Sequence, residues 1–380
     1  MTANSLHIWM NIPSFHQNDL FNELTKYFDE FEVIYAHEHD EKRKLQGWNF
    51  EIIENYSSKI IGKDLNLWGL IGYVFNNRKS VHIVNGIWAE PSFFFVIILL
   101  NIFGANFLIY SEAPLTIKKR TFIKKIFLKY FLKSISNLLI IRAKGFLAVS
   151  FSGVDYFQSL GVQPRKIYRF GYFRNIKLNT YKNQIPQRIN LIFIGQLIEL
   201  KGIVTLLEAI KIVSKNNQLF HLTIVGTGKL APFLTSFVEK NKLDKLVTFQ
   251  GVVDSDKVTD YLEKADLLIF PSISDGWGMV VNEALQSNVP VLISDQCGAK
   301  ELIKDGCNGL IFKGNDLKSL TENLLEFLAL PIEKRDMMKY NAGKMGDKIR
   351  IPIVSNYINL CIQHALNPIH PKPIAPWLND

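Results

Sequence analysis

With 380 residues, 48% of them hydrophobic and 21% charged, the chain has apolar material for about two domains and too much for a disordered protein. Three scattered cysteines, Cys297, Cys307 and Cys361, suggest neither a disulfide framework nor a zinc site and fit a reducing compartment. The net charge of +9 is local: residues 113–154 hold nine basic residues and no acid, which points to an anionic partner, either a membrane surface or a nucleic acid.

The first residues show neither a basic n-region nor a long apolar run, so no secretory signal is expected. The pattern then predicts a strand over 6–10, a loop, a helix over 19–28, and strands over 31–35, 80–84, 106–110 and 147–150. Residues 92–110 are nearly long enough to span a bilayer, but Asn101, Gly104 and Asn106 interrupt them. A buried helix stopped at Gly104, followed by a buried strand, is the better reading.

A polar stretch over 173–187 containing Pro186 reads as a linker. Beyond it, strands are predicted over 189–194, 221–225, 247–250, 266–270 and 290–294, with helices over 203–214, 229–240, 256–264 and 278–286 between them. Strands alternating with helices argue for parallel sheets covered on both faces, and the second half is a doubly wound α/β domain. A last helix is predicted over 353–365, before a proline-rich tail, and no solenoid repeat is visible.

The most informative segment is residues 271–284, where a strand end, a glycine-broken loop and a helix start follow one another. Such a junction gathers free backbone N–H groups and the positive end of a helix dipole, which suits an anion. Gly276 and Gly278 permit close approach of the ligand, while Asp275 and Glu283 are fitted to accept hydrogen bonds from sugar hydroxyls on either side of a diphosphate. Two further glycine loops follow strands: Gly195-Gln196 leading to Lys201-Gly202, and Gly226-Thr227-Gly228. Alone, each is a tight turn between strand and helix. Together at the strand ends of one sheet, where open α/β sheets bind ligands, they indicate a site in which Lys201 neutralises phosphate.

These loops in register resemble the retaining glycosyltransferases of family 4, α/β proteins of GT-B fold with two doubly wound Rossmann-like domains facing across a cleft. The resemblance is close over 190–303 and looser elsewhere. It implies an N-terminal acceptor-side domain over 1–172, the linker over 173–187, a nucleotide-sugar-binding domain over 188–352, and a terminal segment, about 353–380, packing back on the first domain. It implies that Asp275 contacts the donor sugar near the reacting carbon, where the family has glutamate, and that Glu283 binds the ribose. The amides of Trp277, Gly278 and Met279, with Gly195, Gln196, Gly226 and Gly228, would hold the donor, and Lys201 would help neutralise the leaving diphosphate. Gln196 stands where many members have arginine, which leaves more of that task to Lys201 and the helix end. The Gly-Gln-Leu and Ser-Asp-Gly-Trp-Gly variants resemble those of a subgroup associated with bacterial surface polysaccharides.

The first half resembles the family more loosely. Residues 11–21 correspond to its first loop without the usual glycine pair, placing His16 on the acceptor side. Glu112 falls near the position of a family histidine beside the reacting sugar, making it a candidate catalytic or acceptor-side residue. The other reading is a helix start, with Ser111 as cap and Glu112 on the dipole.

Asp254-Ser255-Asp256 looks like a metal motif but falls where Asp and Ser are ordinary helix caps, and His37-Glu38-His39-Asp40 reads as a solvated loop; no metal and no cofactor is expected. In the basic block, Phe122, Ile126, Tyr130 and neighbouring apolar residues share a helical face ringed by Lys118, Lys119, Lys124, Lys125 and Lys129. A solvated surface helix is one reading; docking on anionic lipid is favoured by the absence of acids, and nucleic acid is not expected. The expected function is transfer of a sugar from a nucleotide-sugar, UDP-linked, to a lipid-linked saccharide acceptor at the inner face of the plasma membrane. A non-catalytic membrane-surface scaffold and a soluble glucan or glycoside synthase are the alternatives.

Overall fold

The computed structural model describes residues 4–38, 55–87, 90–113, 138–140, 142–176, 188–255 and 257–379, the side chains of Phe15 and His16 excepted. The chain forms two compact units: Met1–Phe173 with Ile351–Asn379, and Arg174–Arg350.

The first unit is built on a parallel sheet of β1 (Ser5–Met10), β2 (Glu30–Tyr35), β3 (Ser57–Ile60), β4 (Val81–Asn85), β5 (Asn106–Ser111), β6 (Gly145–Val149) and β7 (Ile167–Phe170), in the order β3-β2-β1-β4-β5-β6-β7. Its described helices are α1 (Phe15–Leu24), α2 (Leu67–Asn76), α3 (Pro91–Ile102), α4 (Ser150–Ser159) and, from the far end of the chain, α11 (Ile351–Leu366). The central strands are buried along their length, as parallel strands covered by helices must be. Helix α3 is apolar on every side and buries Phe93, Val96, Ile97, Leu99 and Leu100. Gly104, in the left-handed region at φ 68°, ends it before β5 begins. Among the described residues no helix is long and apolar enough to cross a membrane.

Helix α11 docks on β7 and its surroundings. The Tyr357 hydroxyl donates to the Arg169 carbonyl at 3.0 Å, and the Tyr168 hydroxyl meets His364 Nδ1 at 2.7 Å. Trp377 packs on Phe173 with the rings tilted and their centroids 4.9 Å apart. Phe173, at the start of the expected linker, is fully buried in this first unit.

The second unit repeats the scheme with β8 (Ile189–Ile194), β9 (Phe220–Val225), β10 (Val247–Gly251), β11 (Leu267–Phe270), β12 (Val291–Ser294) and β13 (Gly309–Phe312), all parallel in the order β10-β9-β8-β11-β12-β13. Its helices are α5 (Ile203–Val213), α6 (Ala231–Lys240), α7 (Val258–Leu262), α8 (Met279–Gln286), α9 (Leu317–Ala329) and α10 (Ile332–Lys348). Strand order reverses beside the first strand of each sheet, between β1 and β4 and between β8 and β11. Loops diverge there and leave a crevice at the carboxyl ends of the strands.

The structure departs from the predicted elements mainly at the sheet edges. The pattern does not signal β3, β7 and β13, all edge strands of four residues. An edge strand is too short for a clear apolar run, and β3 is exposed or half-buried throughout. Helix α1 begins four residues before its predicted start because Ser14, extended at φ −145°, serves as its N-cap. Ser150, predicted to end a strand, is instead the first residue of α4.

Candidate active site

Four loops at the carboxyl end of the second sheet are strapped to one another by backbone hydrogen bonds. Leu197 N–H donates to the Thr227 carbonyl at 2.9 Å, Ile273 N–H to Leu200 at 2.9 Å, and Ala299 N–H to Trp277 at 2.8 Å. The glycines allow this packing. A Cβ on Gly226 would lie 2.0 Å from the Gly195 carbonyl oxygen, and one on Gly202, at φ 68°, would lie 2.0 Å from that of Pro271. The Gly195 and Gly226 loops thus come together as the sequence suggests, and their glycines serve loop-on-loop packing.

The loop after β8 tightens into a short turn, Glu199–Lys201, which aims Lys201 toward the loop after β11. There the Lys201 ammonium meets Asp275 Oδ2 at 2.5 Å, and it lies 5.8 Å from the Phe270 ring centroid. The other oxygen, Asp275 Oδ1, accepts from the Trp277 backbone N–H at 3.2 Å. Sequence reasoning offered that amide to a diphosphate; in this structure it folds the loop onto its own carboxylate. The Trp277 ring is buried, and its indole N–H donates to Asn282 Oδ1 at 3.0 Å. Trp277 is therefore an anchor for the amino end of α8. Gly278, at φ 104°, caps α8 with no room for a side chain, since a Cβ would lie 2.7 Å from the Phe270 ring. Met279 is the first residue of the helix, and Gln196 sits half-buried after β8.

Glu283 occupies the second turn of α8, where the Arg174 guanidinium pairs with it at 3.3 Å. Burial raises the Glu283 pKa above the ordinary carboxylate value, and Arg174 opposes the shift. The Gln286 side chain holds the Arg174 carbonyl at 2.9 Å, so α8 grips this arginine twice. Arg174 escaped sequence reasoning because it lies in the segment read as linker; nothing local announces a partner 109 positions away. The site of the second unit thus presents two carboxylate–cation pairs, Asp275 with Lys201 and Glu283 with Arg174, both at α8 and its preceding loop.

In the first unit, Glu112 follows the end of β5, where its Oε1 accepts from the Tyr172 hydroxyl at 2.5 Å. Tyr110 beside it is buried, accepts from the Gln17 amide at 3.1 Å, and has burial raise its pKa. Ser111 is the last residue of β5, and its hydroxyl donates to the Glu112 carbonyl at 2.7 Å. Gln17 and Tyr172 had no sequence signal. His16 lies in the first turn of α1. Ser150 takes φ 60° at the carboxyl end of β6, a left-handed conformation that is strained for a residue with a Cβ. Lys118, Lys119, Lys124, Lys125 and Lys129 lie outside the described residues, as do Asp256, His39 and Asp40. Among the described residues, no group of three or more His, Cys, Asp or Glu side chains is placed to hold a metal ion.

Two parallel-sheet units, each with its strand order reversing beside its first strand, form the GT-B fold. Residues 178–345 match the family model for glycosyl transferases group 1. The chain is 33% identical over 137 residues to an uncharacterised glycosyltransferase of Methanocaldococcus jannaschii, covering 36% of this chain and 37% of the relative. It is 26% identical over 172 residues to the amylovoran biosynthesis glycosyltransferase AmsK of Erwinia amylovora, covering 44% and 40%. The chain spans about two-fifths of the length of these curated relatives. Its fold is similar to that of Anabaena HepE, solved in complex with UDP, with a TM-score of 0.72, 16% identity, and coverage of 96% of this chain and 100% of that one.

Proposed function

We propose that the chain moves a glycosyl group from a UDP-sugar to a lipid-linked saccharide in cell-surface polysaccharide synthesis, acting as a peripheral protein at the cytoplasmic face of the plasma membrane. The Lys201–Asp275 pair carries this reading: it sets a cation and a sugar-binding acid 2.5 Å apart at the switch point of the second sheet, within the matched family segment. A relative in amylovoran biosynthesis supports the polysaccharide product, and a fold shared with a UDP complex supports the donor.

In the reaction, the bond between the anomeric carbon and the diphosphate oxygen breaks, and its electron pair leaves with UDP. Negative charge grows on the departing oxygens, where the Lys201 ammonium and the amino end of α8 stabilise it. Asp275 keeps Lys201 aimed and accepts from donor-sugar hydroxyls; a carboxylate has about four acceptor positions, and two are used here. Glu283 accepts from the ribose hydroxyls. The acceptor hydroxyl attacks from the face that UDP leaves and passes its proton to the departing phosphate oxygen, so configuration is retained with no covalent enzyme intermediate. Lysine and helix end provide the positive charge, so the proposed step needs no metal or cofactor. Glu112, held by Tyr172, orients the acceptor.

The test is UDP release by the full chain, with a panel of nucleotide-sugars and lipid-linked acceptors. Release that requires both substrates and collapses in Lys201→Ala is expected. No turnover with any donor would overturn the reading.

A further inference from the structure

The proposed reaction makes no use of an apolar surface on the helix layer of the first unit. Helix α2 has ten residues and no charged side chain, an unusual composition for a helix at the surface. Leu70 and Val74 face the core, whereas Leu67, Trp68 and Phe75 are 59%, 79% and 46% exposed. Trp68 and Phe75 are two turns apart and share a face. At its far end this stripe continues onto α3: the Phe75 ring meets Phe103 edge-on at 5.3 Å, next to Ile102, which is 67% exposed.

The surroundings are basic. The Arg78 guanidinium lies 4.3 Å above the Phe75 ring, Lys79 next to it is exposed, and Arg142 Nη2 lies 3.4 Å from where a Cβ on Gly104, beside Phe103, would sit. Glu90 is the one acid in the sequence between Asp64 and Glu112. A second copy on the same face would set these cations against their own counterparts. An anionic lipid surface satisfies the apolar stripe and the cations at once: tryptophan belongs at the headgroup boundary, and arginine and lysine meet phosphates.

We propose that the α2–α3 face docks on an anionic lipid surface, with Trp68, Phe75 and Ile102 entering the headgroup region and Arg78, Lys79 and Arg142 meeting lipid phosphates. This deepens the proposed function, on whose lipid-linked acceptor its purpose rests. Helices covering a parallel sheet lie alongside its strands, so docking on this layer lays the strands along the membrane. The carboxyl end of the first sheet, with Glu112, then stays beside the lipid.

Cosedimentation of the full chain with phosphatidylcholine vesicles, with and without phosphatidylglycerol, tests it. Binding is expected only with phosphatidylglycerol and should weaken as salt rises. The Trp68→Ser, Ile102→Ser double variant should bind about tenfold less or weaker still, and Arg78→Glu with Lys79→Glu should do the same. Trp68→Ser, Ile102→Ser should keep the wild-type melting temperature, because both side chains are exposed. Undiminished vesicle binding by Trp68→Ser, Ile102→Ser overturns the proposal. So does a concentration-dependent dimer lost in that variant without any vesicle binding, which makes a second copy the occupant. Vesicle binding that follows the expected pattern in a chain with no UDP release upholds the docking surface and removes only the reaction.

Discussion

Lys201 and Asp275, 74 positions apart in the chain, meet at 2.5 Å with side chains only 26% and 15% exposed. Both groups are largely shielded from water, so the pair holds a set geometry before a donor arrives. Lys201→Ala should lower kcat about 100- to 1000-fold, the range for loss of one preorganised charge at a leaving group. Asp275→Asn keeps the shape but loses the charge that aims the lysine, and should act mainly on kcat with little change in donor affinity. Steady-state kinetics with titration calorimetry of UDP check both; equal losses of donor affinity and turnover in Asp275→Asn would contradict its role.

Glu283 differs in being a buried carboxylate whose charge depends on one arginine. Glu283→Ala should weaken donor binding about 10- to 100-fold through loss of charged hydrogen bonds to the ribose. Arg174→Ala removes the cation that opposes the rise burial causes in the Glu283 pKa. Donor affinity in Arg174→Ala should therefore fall as pH drops from 8 to 6, while that of the wild type changes less. UDP calorimetry at the two pH values measures this directly.

On the acceptor side, Tyr172→Phe removes the hydroxyl that donates to Glu112. The expected result is a higher acceptor KM and a lower kcat, with unchanged UDP affinity. If UDP affinity falls with them, Tyr172 is structural.

In the first unit a half-buried polar chain links Lys59, Glu32, Tyr73 and His7, with His82 stacked on His7 at 5.1 Å and accepting from the Trp9 indole. Burial is the main cause that lowers His7 to about 4 and His82 to about 3. Both stay neutral in the fold yet protonate when unfolded, at about 6.5, so stability should be lost as pH falls from 6.5 toward 4. At pH 5 the expected loss is about 2 kcal/mol per imidazole. Glu32 is held low by Lys59, Tyr73 and Ser57 against its burial, so its contribution is lost only at still lower pH. Urea unfolding at pH 7, 6 and 5 checks the window; a flat profile would show that the imidazoles do not govern it.

Gly226→Ala tests the packing of the loops. With the new Cβ 2.0 Å from the Gly195 carbonyl oxygen, backbone must shift, and a loss of about 2–4 kcal/mol is expected in thermal unfolding.

The central strands of both sheets were legible because a parallel strand covered on two faces must be apolar along its whole length, as in Leu267 to Phe270. The glycine loops were legible because a strand end, glycines and a helix start follow one another within a few residues. The edge strands β3, β7 and β13 were not, because they are short and owe their conformation to one neighbour. Arg174, Tyr172 and Gln17 were invisible for a related reason: each matters through a partner far along the chain, and no periodicity encodes such a meeting.

By itself, then, the sequence determined the repeated α/β pattern, the glycine-broken loop flanked by Asp275 and Glu283, and the place of Lys201, since backbone geometry and strand periodicity are local. Tertiary structure alone decided that each of those acids is held by its own cation, that the Trp277 amide serves its own loop, and that Trp68 is left facing solvent. Pairing, burial and exposure depend on which distant segments the fold brings together, and that is set by the packing of whole sheets and helices.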